Sequence, residues 1–295
     1  MGKRIGNAIT IGNFDGFHLG HRSIVKHTLK IADRDGLGTV LLTLNPNPKL
    51  FFKTEDRLIY TDIQKHKVLE SSGIDRIEYL KFRELYHLDG KDFIDIFLIK
   101  RFNIKYLVVG ENFRLGRDRA WDIERIKGYG SLRNFNIKIV PSEKIDGQKV
   151  SSSSIRAALK KGELSRANKM LGAFYSINGE VIRGNRKGRV FGFPTMNLAD
   201  ENCILPNGVY KSNVIIKGNI YKSATYIGKN HSKNVNIRKI ETHVIEYNED
   251  IYGSNIEIQF LKFIRKEKKF KSEIELIKQI RIDMDSIKFD IRSQV

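Results

Sequence analysis

A short segment near the N-terminus combines glycines with two histidines at a spacing suited to phosphate chemistry. His18 and His21 are three residues apart at the predicted start of a helix, so both imidazoles can point in one direction. Gly12, Gly16 and Gly20 let a phosphate chain approach the backbone closely. A helix start attracts anions, and imidazoles there can donate hydrogen bonds to charge developing on a phosphate. Two other interpretations stay open, namely histidines that only cap and pack the turn, and a metal-binding pair.

A second segment, residues 184–198, is rich in glycine, cations and neutral side-chain oxygens. Its glycines permit a tight loop whose amides can face phosphates. Lys187 and Arg189 add positive charge, while Thr195 and Asn197 offer neutral oxygens of the kind that Mg²⁺ can share with ATP. The segment therefore predicts a site for a magnesium-bound nucleotide, although an ordinary basic β-turn would also explain its composition.

The histidine segment must be positioned by a strand before it and a helix after it. Short apolar runs alternate with longer amphipathic runs through the first half of the chain, which is typical of βα units around a parallel sheet. A doubly wound sheet binds its ligands at the carboxyl ends of its strands. The predicted strands are Ala8–Ile11, Thr39–Leu44, Arg76–Leu80, Tyr106–Val109 and Ile137–Val140. The predicted helices are Leu19–Asp33, Asp62–Ser72, Gly90–Arg101 and Ser153–Lys160.

After about Leu171 the pattern changes to runs of alternating polarity that are separated by Gly and Asn turns. Five or six strands without intervening helices predict a small antiparallel β-barrel. The predicted barrel strands are Tyr175–Arg183, Gly208–Ile216, Ile220–Ile227, Ile240–Tyr247 and Asn255–Phe263.

A helix is expected to close the chain. Ser272 is its expected N-cap, and two glutamates in the first turn suit the helix dipole. Its apolar residues are predicted to share one face: Ile274, Ile277, Ile280 and Met284. We therefore expect two domains, a Rossmann-like parallel sheet with helices in residues 1–170 and an antiparallel barrel with a terminal helix in residues 171–295.

The motifs of the first half resemble those of bifunctional riboflavin kinase/FMN adenylyltransferases. Residues 12–21 are similar to the Gly-x-Phe-Asp-Gly-x-His-x-Gly-His signature of the FMN adenylyltransferase branch of the nucleotidyltransferases. Residues 150–156 resemble the family's second phosphate-binding helix start. The resemblance implies that Ser152, Ser153 and Arg156 hold the phosphates that leave as pyrophosphate.

Two further loops of the first half match the family with one departure each. Residues 44–48 correspond to a Phe-x-Pro-His-Pro motif, with Asn47 in place of the histidine. Residues 108–116 correspond to Val-Val-Gly-x-Asp-Phe-x-Phe-Gly, with Asn112 in place of the aspartate. The resemblance implies flavin contacts at Asn45 and Asn112.

The second half resembles a riboflavin kinase in the same order along the chain. Residues 188–197 are similar to the motif Gly-Arg-x-x-Gly-Phe-Pro-Thr-x-Asn. Glu241 matches the family glutamate that acts as general base on the riboflavin 5′-hydroxyl. Arg265 matches an arginine placed near the flavin or the nucleotide. Residues 227–232 depart from the usual Ile-Gly-x-x-Pro-Thr-Phe, in a loop expected to help cover the ligands.

The resemblance implies an enzyme that uses ATP twice. With Mg²⁺, the barrel half would phosphorylate riboflavin to FMN, and the α/β half would then adenylylate FMN to FAD with release of pyrophosphate. The implied catalytic residues are His18, His21, Arg156 and Glu241, and the implied magnesium ligands are Thr195 and Asn197. The implied ATP and phosphate contacts are Gly12, Asn13, Asp15, Gly16, Gly20, Ser152, Ser153, Gly184, Gly188 and Arg189. The implied flavin contacts are Asn45, Asn112 and Arg265.

Composition disfavours several other classes of protein. The formal net charge of +19 is spread over both halves of the chain, which favours phosphorylated small ligands over a dedicated nucleic-acid tail. No apolar run is long enough to span a membrane, and the N-terminus lacks a signal-peptide pattern. The single cysteine, Cys203, cannot form an internal disulfide. We expect a cytoplasmic protein that contacts neither membrane nor nucleic acid, and the sequence does not set its oligomeric state.

Two alternatives remain at this stage. One is a single-activity nucleotidyltransferase with an appended binding barrel, which the barrel motifs disfavour. The other is a barrel that binds RNA or DNA through exposed aromatics and cations, for which Tyr210, Tyr221 and Tyr226 could serve as stacking platforms. In that second case the glycine-rich kinase-like motif would have no purpose.

Overall fold

The structure, a computed structural model, describes residues 4–55, 57–184, 188, 191–198, 202–229, 238–247 and 249–289. Contacts within the chain divide it into two compact units, Met1–Ser152 and Ser153–Val295. The division falls at the start of a helix, earlier in the chain than the domain boundary expected after residue 170.

The first unit is built on a five-stranded sheet. Its strands are β1 (Asn7–Gly12), β2 (Gly38–Asn45), β3 (Arg76–Lys81), β4 (Ile104–Gly110) and β5 (Asn136–Val140). The strand order is β3-β2-β1-β4-β5, and every neighbouring pair is parallel. Strands β1, β2 and β4 lie inside the sheet, and their apolar runs are buried because both faces are covered. The predicted doubly wound fold is confirmed.

Helices connect these strands. They are α1 (Leu19–Asp35), α2 (Pro48–Phe51), α3 (Asp62–Glu70), α4 (Phe82–Leu85), α5 (Gly90–Phe93), which continues as a π-helix over Ile94–Arg101, and α6 (Ile123–Leu132). A 3₁₀ turn (Arg117–Arg119) and a hairpin of β6 (Lys144–Ile145) and β7 (Gln148–Lys149) complete the unit. Helix α1 ends at Gly36, whose left-handed φ of 64° a glycine adopts without strain. Helix α3 begins with a capping box between Thr61 and Gln64.

The second unit contains a closed antiparallel barrel. Its strands are β8 (Tyr175–Ile182), β9 (Met196–Leu198), β10 (Gly208–Ile216), β11 (Asn219–Lys229), β12 (Arg238–Val244) and β13 (Asn255–Lys266). They close in the order β10-β11-β12-β9-β8-β13. The predicted barrel is confirmed, and the strand that the pattern missed is β9, whose three residues are too few to show alternation.

A chain of hydroxyl groups crosses the barrel interior. The Ser212 hydroxyl lies 2.7 Å from those of Ser223 and Thr225, and the Thr225 hydroxyl donates to that of Thr242 over 2.9 Å. All four side chains are buried, so these mutual hydrogen bonds satisfy groups that water does not reach. These linked hydroxyl groups join β10, β11 and β12 and favour a single register among the three strands.

Three helices flank the barrel sequence: α7 (Ser152–Lys161), α8 (Leu164–Leu171) and α9 (Glu273–Phe289). Ser272 caps α9 as predicted, because its hydroxyl accepts a hydrogen bond from the Glu275 N–H over 3.3 Å. The prediction that Ile274 shares the apolar face of α9 is wrong, since 67% of this residue is exposed. At 100° per residue, Ile274 lies about 120° around the helix from Ile280, outside the buried stripe.

Candidate active sites

The loop between β1 and α1 has a strained backbone. Phe14, Gly16 and Phe17 have φ angles of 49°, 83° and 38°, a region that costs a non-glycine residue free energy. A Cβ atom on Gly16 would lie 2.9 Å from the Cδ1 atom of Ile59, so packing as well as φ requires glycine there. Such strain persists only where the surroundings hold the loop, and it occurs most often at ligand sites.

Asp15 supplies part of that hold. Its carboxylate, only 4% exposed, accepts hydrogen bonds from the backbone N–H groups of Ile59 over 2.8 Å and Tyr60 over 3.4 Å. Its carbonyl accepts a hydrogen bond of 2.9 Å from the Ser152 hydroxyl. Two residues that the sequence predicts to contact phosphate therefore also fix the loop in place.

His18 is the N-cap residue of α1 and His21 lies in its first turn, and their rings are stacked. The ring centroids are 3.7 Å apart and the ring planes differ by 18°. A Cβ atom on Gly20 would approach the His18 ring to 3.2 Å, so this glycine leaves room for the pair. Among the residues that the structure describes, neither Nδ1 atom has a hydrogen-bond partner. Both rings thus have hydrogen-bonding capacity to offer a ligand.

Desolvation keeps both imidazoles neutral at pH 7. Burial lowers the pKa of His18 to about 4. Burial also lowers the pKa of His21 well below its usual range, and the nearby His18 and Lys65 lower it further. Lys65 is itself buried, and that burial lowers the pKa of its ammonium group, against the opposing effect of the carboxylates of Asp62 and Asp15. The site therefore holds neutral hydrogen-bonding rings close to a buried lysine.

Two cavities open at the carboxyl end of the sheet. One, of about 220 Å³, is lined by both histidines and Gly20. The other, of about 750 Å³, is lined by Asn13 and by aromatic and cationic side chains, which are Phe52, Phe82, Tyr86, Lys49, Arg114 and Arg119. Gly12 and Asn112 line both cavities, so the two are adjacent.

The predicted site residues in segment 44–48 and in α7 have different surroundings. Asn45 is exposed at the end of β2 and lines neither cavity described above. Asn47 caps α2, because its side chain accepts a hydrogen bond from the Lys49 N–H over 3.0 Å. Ser153 lies in the first turn of α7, and Arg156 is buried on the same helix with 2% exposure.

In the barrel, two glycines pack directly against the predicted magnesium ligands. A Cβ atom on Gly184 would collide with the Asn197 side chain. A Cβ atom on Gly188 would collide with the Phe193 carbonyl and lie 3.2 Å from the Thr195 hydroxyl. Glycine at both positions lets the backbone lie directly against these two side chains. Arg189, predicted to contact phosphate, lies outside the described residues.

One face of β12 carries three polar side chains at alternate positions. Lys239, Glu241 and His243 line one cavity because alternate residues of a strand point to the same side. The Lys239 ammonium lies 2.6 Å from the Glu241 carboxylate. The Nδ1 atom of His243 is 2.7 Å from the Pro194 carbonyl, which can only accept, so Nδ1 donates. Glu241 also pairs with Asn197 across β12 and β9.

Two cavities meet at Thr195. The first, of about 360 Å³, is lined by Glu241 and by apolar side chains from the barrel and from α9. The second, of about 420 Å³, is lined by Tyr247, Glu249, Asp250 and Tyr252. Thr195 lines both cavities, so ligands that occupy the two cavities can meet beside Thr195.

Arg265 also lines the 360 Å³ cavity, where its guanidinium is paired with Asp283 of α9 over 2.7 Å. Nearby, the Tyr226 hydroxyl donates to the carboxylate of Glu267. A Cβ atom on Gly228 would collide with the Tyr226 ring, so glycine at that position lets the ring lie along the strand.

Sequence reasoning missed several residues of these sites: Lys65, Lys239, His243 and Asp283. It named Tyr226 only as a possible stacking platform for nucleic acid. The alternation of β12 was a usable signal, since Lys239 and His243 flank Glu241 at two-residue spacing on a predicted strand. No local pattern pointed to Lys65 or Asp283, because their neighbours come from distant parts of the chain.

The described residues include no membrane-spanning helix and no cluster of typical metal ligands. None of the helices in the described ranges is both long and apolar enough to cross a membrane. The same ranges hold no cluster of three or more His, Cys, Asp or Glu side chains that could bind a metal ion. A magnesium site of the predicted kind would use hydroxyl, amide and phosphate oxygens in place of such a cluster.

Known families match both halves of the chain. A family model described as FAD synthetase matches residues 2–154, and one described as riboflavin kinase matches residues 171–289. A relative named bifunctional riboflavin kinase/FMN adenylyltransferase from Buchnera aphidicola subsp. Acyrthosiphon pisum is 35% identical over 286 residues, 94% of this chain and 91% of the relative. The protein of the same name from Escherichia coli strain K12 is 31% identical over 284 residues, 94% of this chain and 90% of the relative.

A solved structure is similar along nearly the whole chain. It is described as a macrolide-efflux protein from Streptococcus pneumoniae, and it matches with a TM-score of 0.87 and 29% sequence identity over 97% of this chain and 95% of that one. The similarity covers both units, while the description as an efflux protein concerns that protein alone.

Proposed function

This chain belongs to the family of bifunctional riboflavin kinase/FMN adenylyltransferases, and we propose which residues of each half carry its two reactions. The chain phosphorylates riboflavin to FMN and adenylylates FMN to FAD, with ATP as the second substrate of each step. The riboflavin kinase part is C-terminal and the adenylyltransferase part N-terminal. We further propose that these parts are residues 171–295 and 1–170, and that the enzyme is cytoplasmic.

In the α/β half, we place the α-phosphate of ATP beside His18 and His21. A phosphate oxygen of FMN attacks the α-phosphorus, the bond to the β-phosphate breaks, and pyrophosphate leaves. Negative charge that builds on the α-phosphate oxygens accepts hydrogen bonds from the two imidazoles. Because both rings are neutral at pH 7, each donates from one nitrogen. Ser152, Ser153 and Arg156 stay the predicted ligands of the departing pyrophosphate.

The flavin of this half is assigned to the cavity of about 750 Å³. Its volume and its aromatic and cationic lining suit a flat, partly polar ring system. Gly12 and Asn112, which line both neighbouring cavities, then lie where FMN meets ATP. Asn13, Gly16 and Gly20 belong to the same phosphate loop, whereas a flavin contact at Asn45 has only the sequence in its favour.

In the barrel half, one observation carries the assignment: Thr195 lines two cavities, and Glu241 lines one of them. Riboflavin in the 360 Å³ cavity can present its 5′-hydroxyl to Glu241, and ATP in the 420 Å³ cavity can present its γ-phosphate near Thr195. The hydroxyl oxygen bonds to the γ-phosphorus, Glu241 accepts its proton, and ADP leaves. Lys239 holds the Glu241 carboxylate in place before the substrates arrive.

Mg²⁺ fits the oxygens at the meeting point of these cavities. Thr195, which lines both cavities, and Asn197, which pairs with Glu241 across β9 and β12, offer neutral oxygens. Such hard oxygen donors, completed by phosphates and water, are the usual ligands of this ion. When bound, Mg²⁺ neutralises charge on the ATP phosphates. Thr195 and Asn197 would hold it.

The test is a time course with the full chain, riboflavin, ATP and varied Mg²⁺, in which riboflavin, FMN and FAD are separated. Thr195→Val keeps the side-chain shape and removes the hydroxyl, so it should raise the Mg²⁺ concentration needed for half-maximal FMN formation. The matched control is Thr242→Val, which removes a hydroxyl inside the barrel and should leave that concentration unchanged. An unchanged Mg²⁺ requirement in Thr195→Val would remove Thr195 from the site.

A further inference from the structure

Arg265 turns its guanidinium toward protein groups. The Nε atom donates to the two carboxylate oxygens of Asp283 over 2.9 and 3.0 Å, and the Nη2 atom donates to one of them over 2.7 Å. The Nη1 atom donates to the backbone carbonyl of Lys266 over 3.1 Å. Each guanidinium nitrogen thus has a protein partner, and the pair has the fork geometry of a strong arginine–carboxylate contact.

Asp283 connects this pair to α9. Its side chain is 7% exposed, against 21% for that of Arg265. Gln279, one turn earlier on the helix, donates to the same carboxylate over 3.0 Å. Arg265 lies on β13, so the ion pair fastens the terminal helix to the barrel at one buried point.

The fastened helix forms one wall of the 360 Å³ cavity. Leu276, Ile280 and Met284 of α9 line the cavity together with Val209 and Ala224 of the barrel. An apolar wall of this kind suits the ring system of a flavin. The wall exists only while α9 stays docked, because its three apolar side chains come from that helix alone.

The energetics of buried ion pairs predict how the helix responds to mutation. Removing one partner leaves an uncompensated buried charge, which is strongly destabilising. Replacing both partners by apolar residues of similar volume is often neutral or stabilising. A residue that acts only through its partner can therefore be told from one that touches the ligand.

We propose that Arg265 and Asp283 are a positioning pair, which sets riboflavin affinity by holding α9 against the barrel while the arginine itself makes no contact with the flavin. The inference rests on the proposed location of riboflavin in this cavity.

The experiment is a double-mutant cycle in the full chain with Arg265→Met, Asp283→Leu and the double variant. Riboflavin affinity is measured by flavin fluorescence quenching, and KM is measured separately for riboflavin and for ATP. Each single variant should weaken riboflavin binding by roughly 10- to 100-fold with little change in the KM for ATP. The double variant should return to within about threefold of the wild type. Amide hydrogen exchange of residues 273–289 should be faster in the single variants and restored in the double variant.

Two further variants complete the design. Arg281→Met removes an exposed arginine from the same helix and should bind riboflavin as the wild type does. Ala224→Phe fills the cavity from the barrel side and should abolish riboflavin binding, whatever the state of α9. If Ala224→Phe binds riboflavin normally, the flavin lies elsewhere and both the location and the positioning pair are overturned.

The remaining outcomes concern the pair alone. A double variant that binds riboflavin as weakly as Arg265→Met would mean that the arginine contacts the flavin directly. Single variants with wild-type affinity would mean that the ion pair does not position the wall. Either result overturns the inference and leaves the assignment of the cavity intact, provided that Ala224→Phe blocks binding.

Discussion

The histidine site of the α/β unit lies on a loop whose backbone is strained, whereas the Glu241 site of the barrel lies on the faces of regular strands. At the first site, positive φ angles and burial bring two neutral rings together. At the second, the two-residue repeat of β12 and its register with β9 align charged and neutral oxygens. On the proposed assignment, adenylyl transfer depends on a shaped loop and on desolvation, and phosphorylation depends on strand register and on charge.

Separating the two units should have the largest effect on the two activities. A fragment of residues 153–295 should convert riboflavin to FMN and make no FAD, because the histidine site is absent. A fragment that begins at Leu171 should have the same activity but unfold at lower denaturant concentration. It lacks α7 and all of α8 except Leu171. With α8 it loses Asn168, which donates to the Phe260 carbonyl over 3.0 Å and accepts from the Tyr175 N–H over 2.8 Å.

Product analysis and urea unfolding of both fragments check this prediction. A folded fragment of residues 153–295 that makes no FMN, while the full chain does, would show that the kinase site needs more than the barrel unit. Equal stability of the two fragments would show that neither α7 nor α8 adds to the stability of the barrel.

Glu241→Gln tests whether riboflavin phosphorylation depends on the charge of Glu241. The change keeps the shape of the side chain and removes its basicity, so riboflavin phosphorylation should slow by roughly 10²–10⁴-fold with little effect on riboflavin binding. Adenylylation of supplied FMN should continue. The control is Glu180→Gln, an exposed glutamate on β8 of the same barrel, which should phosphorylate riboflavin at the wild-type rate. A wild-type rate in Glu241→Gln would exclude this residue as the base.

His18→Ala and His21→Ala test whether FMN adenylylation depends on the two buried imidazoles. If both rings stabilise the α-phosphate in the transition state, each change should raise the barrier for FMN adenylylation by about 2–4 kcal/mol. FMN formation from riboflavin should persist. His27→Ala on the same helix is the matched control, since that ring bonds back to the Ser23 carbonyl. Equal loss of both reactions in a histidine variant would indicate misfolding in place of a catalytic defect.

The neutral state of His18 predicts a pH dependence of stability. The pKa of His18 is about 4 in the folded chain, against an ordinary value near 6.5 in the unfolded chain. Between these values the unfolded chain binds more protons, so the free energy of unfolding falls as the pH falls. The loss from His18 alone should be about 2 kcal/mol between pH 7 and pH 5.

Fluorescence of Trp121 can measure this effect, because it is the single tryptophan of the chain and lies in the core of the first unit. The free energy of unfolding of the wild type minus that of His18→Gln should fall by about 2 kcal/mol between pH 7 and pH 5. A difference that stays constant with pH would contradict a neutral, buried His18.

Much of the fold followed from local patterns. Alternating apolar and amphipathic runs predicted the parallel sheet, and runs of period two predicted the barrel. The position of Gly12–His21 between β1 and α1 was also predicted, since glycines and histidines after an apolar run indicate a strand end followed by a helix start. These features need only neighbours within a few residues, which is why sequence reasoning reached them.

Other features required distant parts of the chain to meet. The π-helical stretch Ile94–Arg101 and the short strand β9 have no distinct local signature. Asp15 looked like a phosphate ligand, and the structure additionally gives its carboxylate the N–H groups of Ile59 and Tyr60. Asn47 occupies a family histidine position and caps α2. The partners of Asp15 lie 44 and 45 residues further along the chain, too far for spacing to predict them.

The sequence by itself determined the order of the elements, the two glycine-rich segments that are predicted to bind phosphate, and the family to which the chain belongs, because each depends on residues close together in the chain. Tertiary structure alone decided that His18 and His21 are neutral, since burial by the rest of the unit removes the water that would stabilise their charge. It alone paired Arg265 with Asp283, 18 residues away on another element. Burial and long-range pairing are properties of the packed chain, and no short window of sequence contains them.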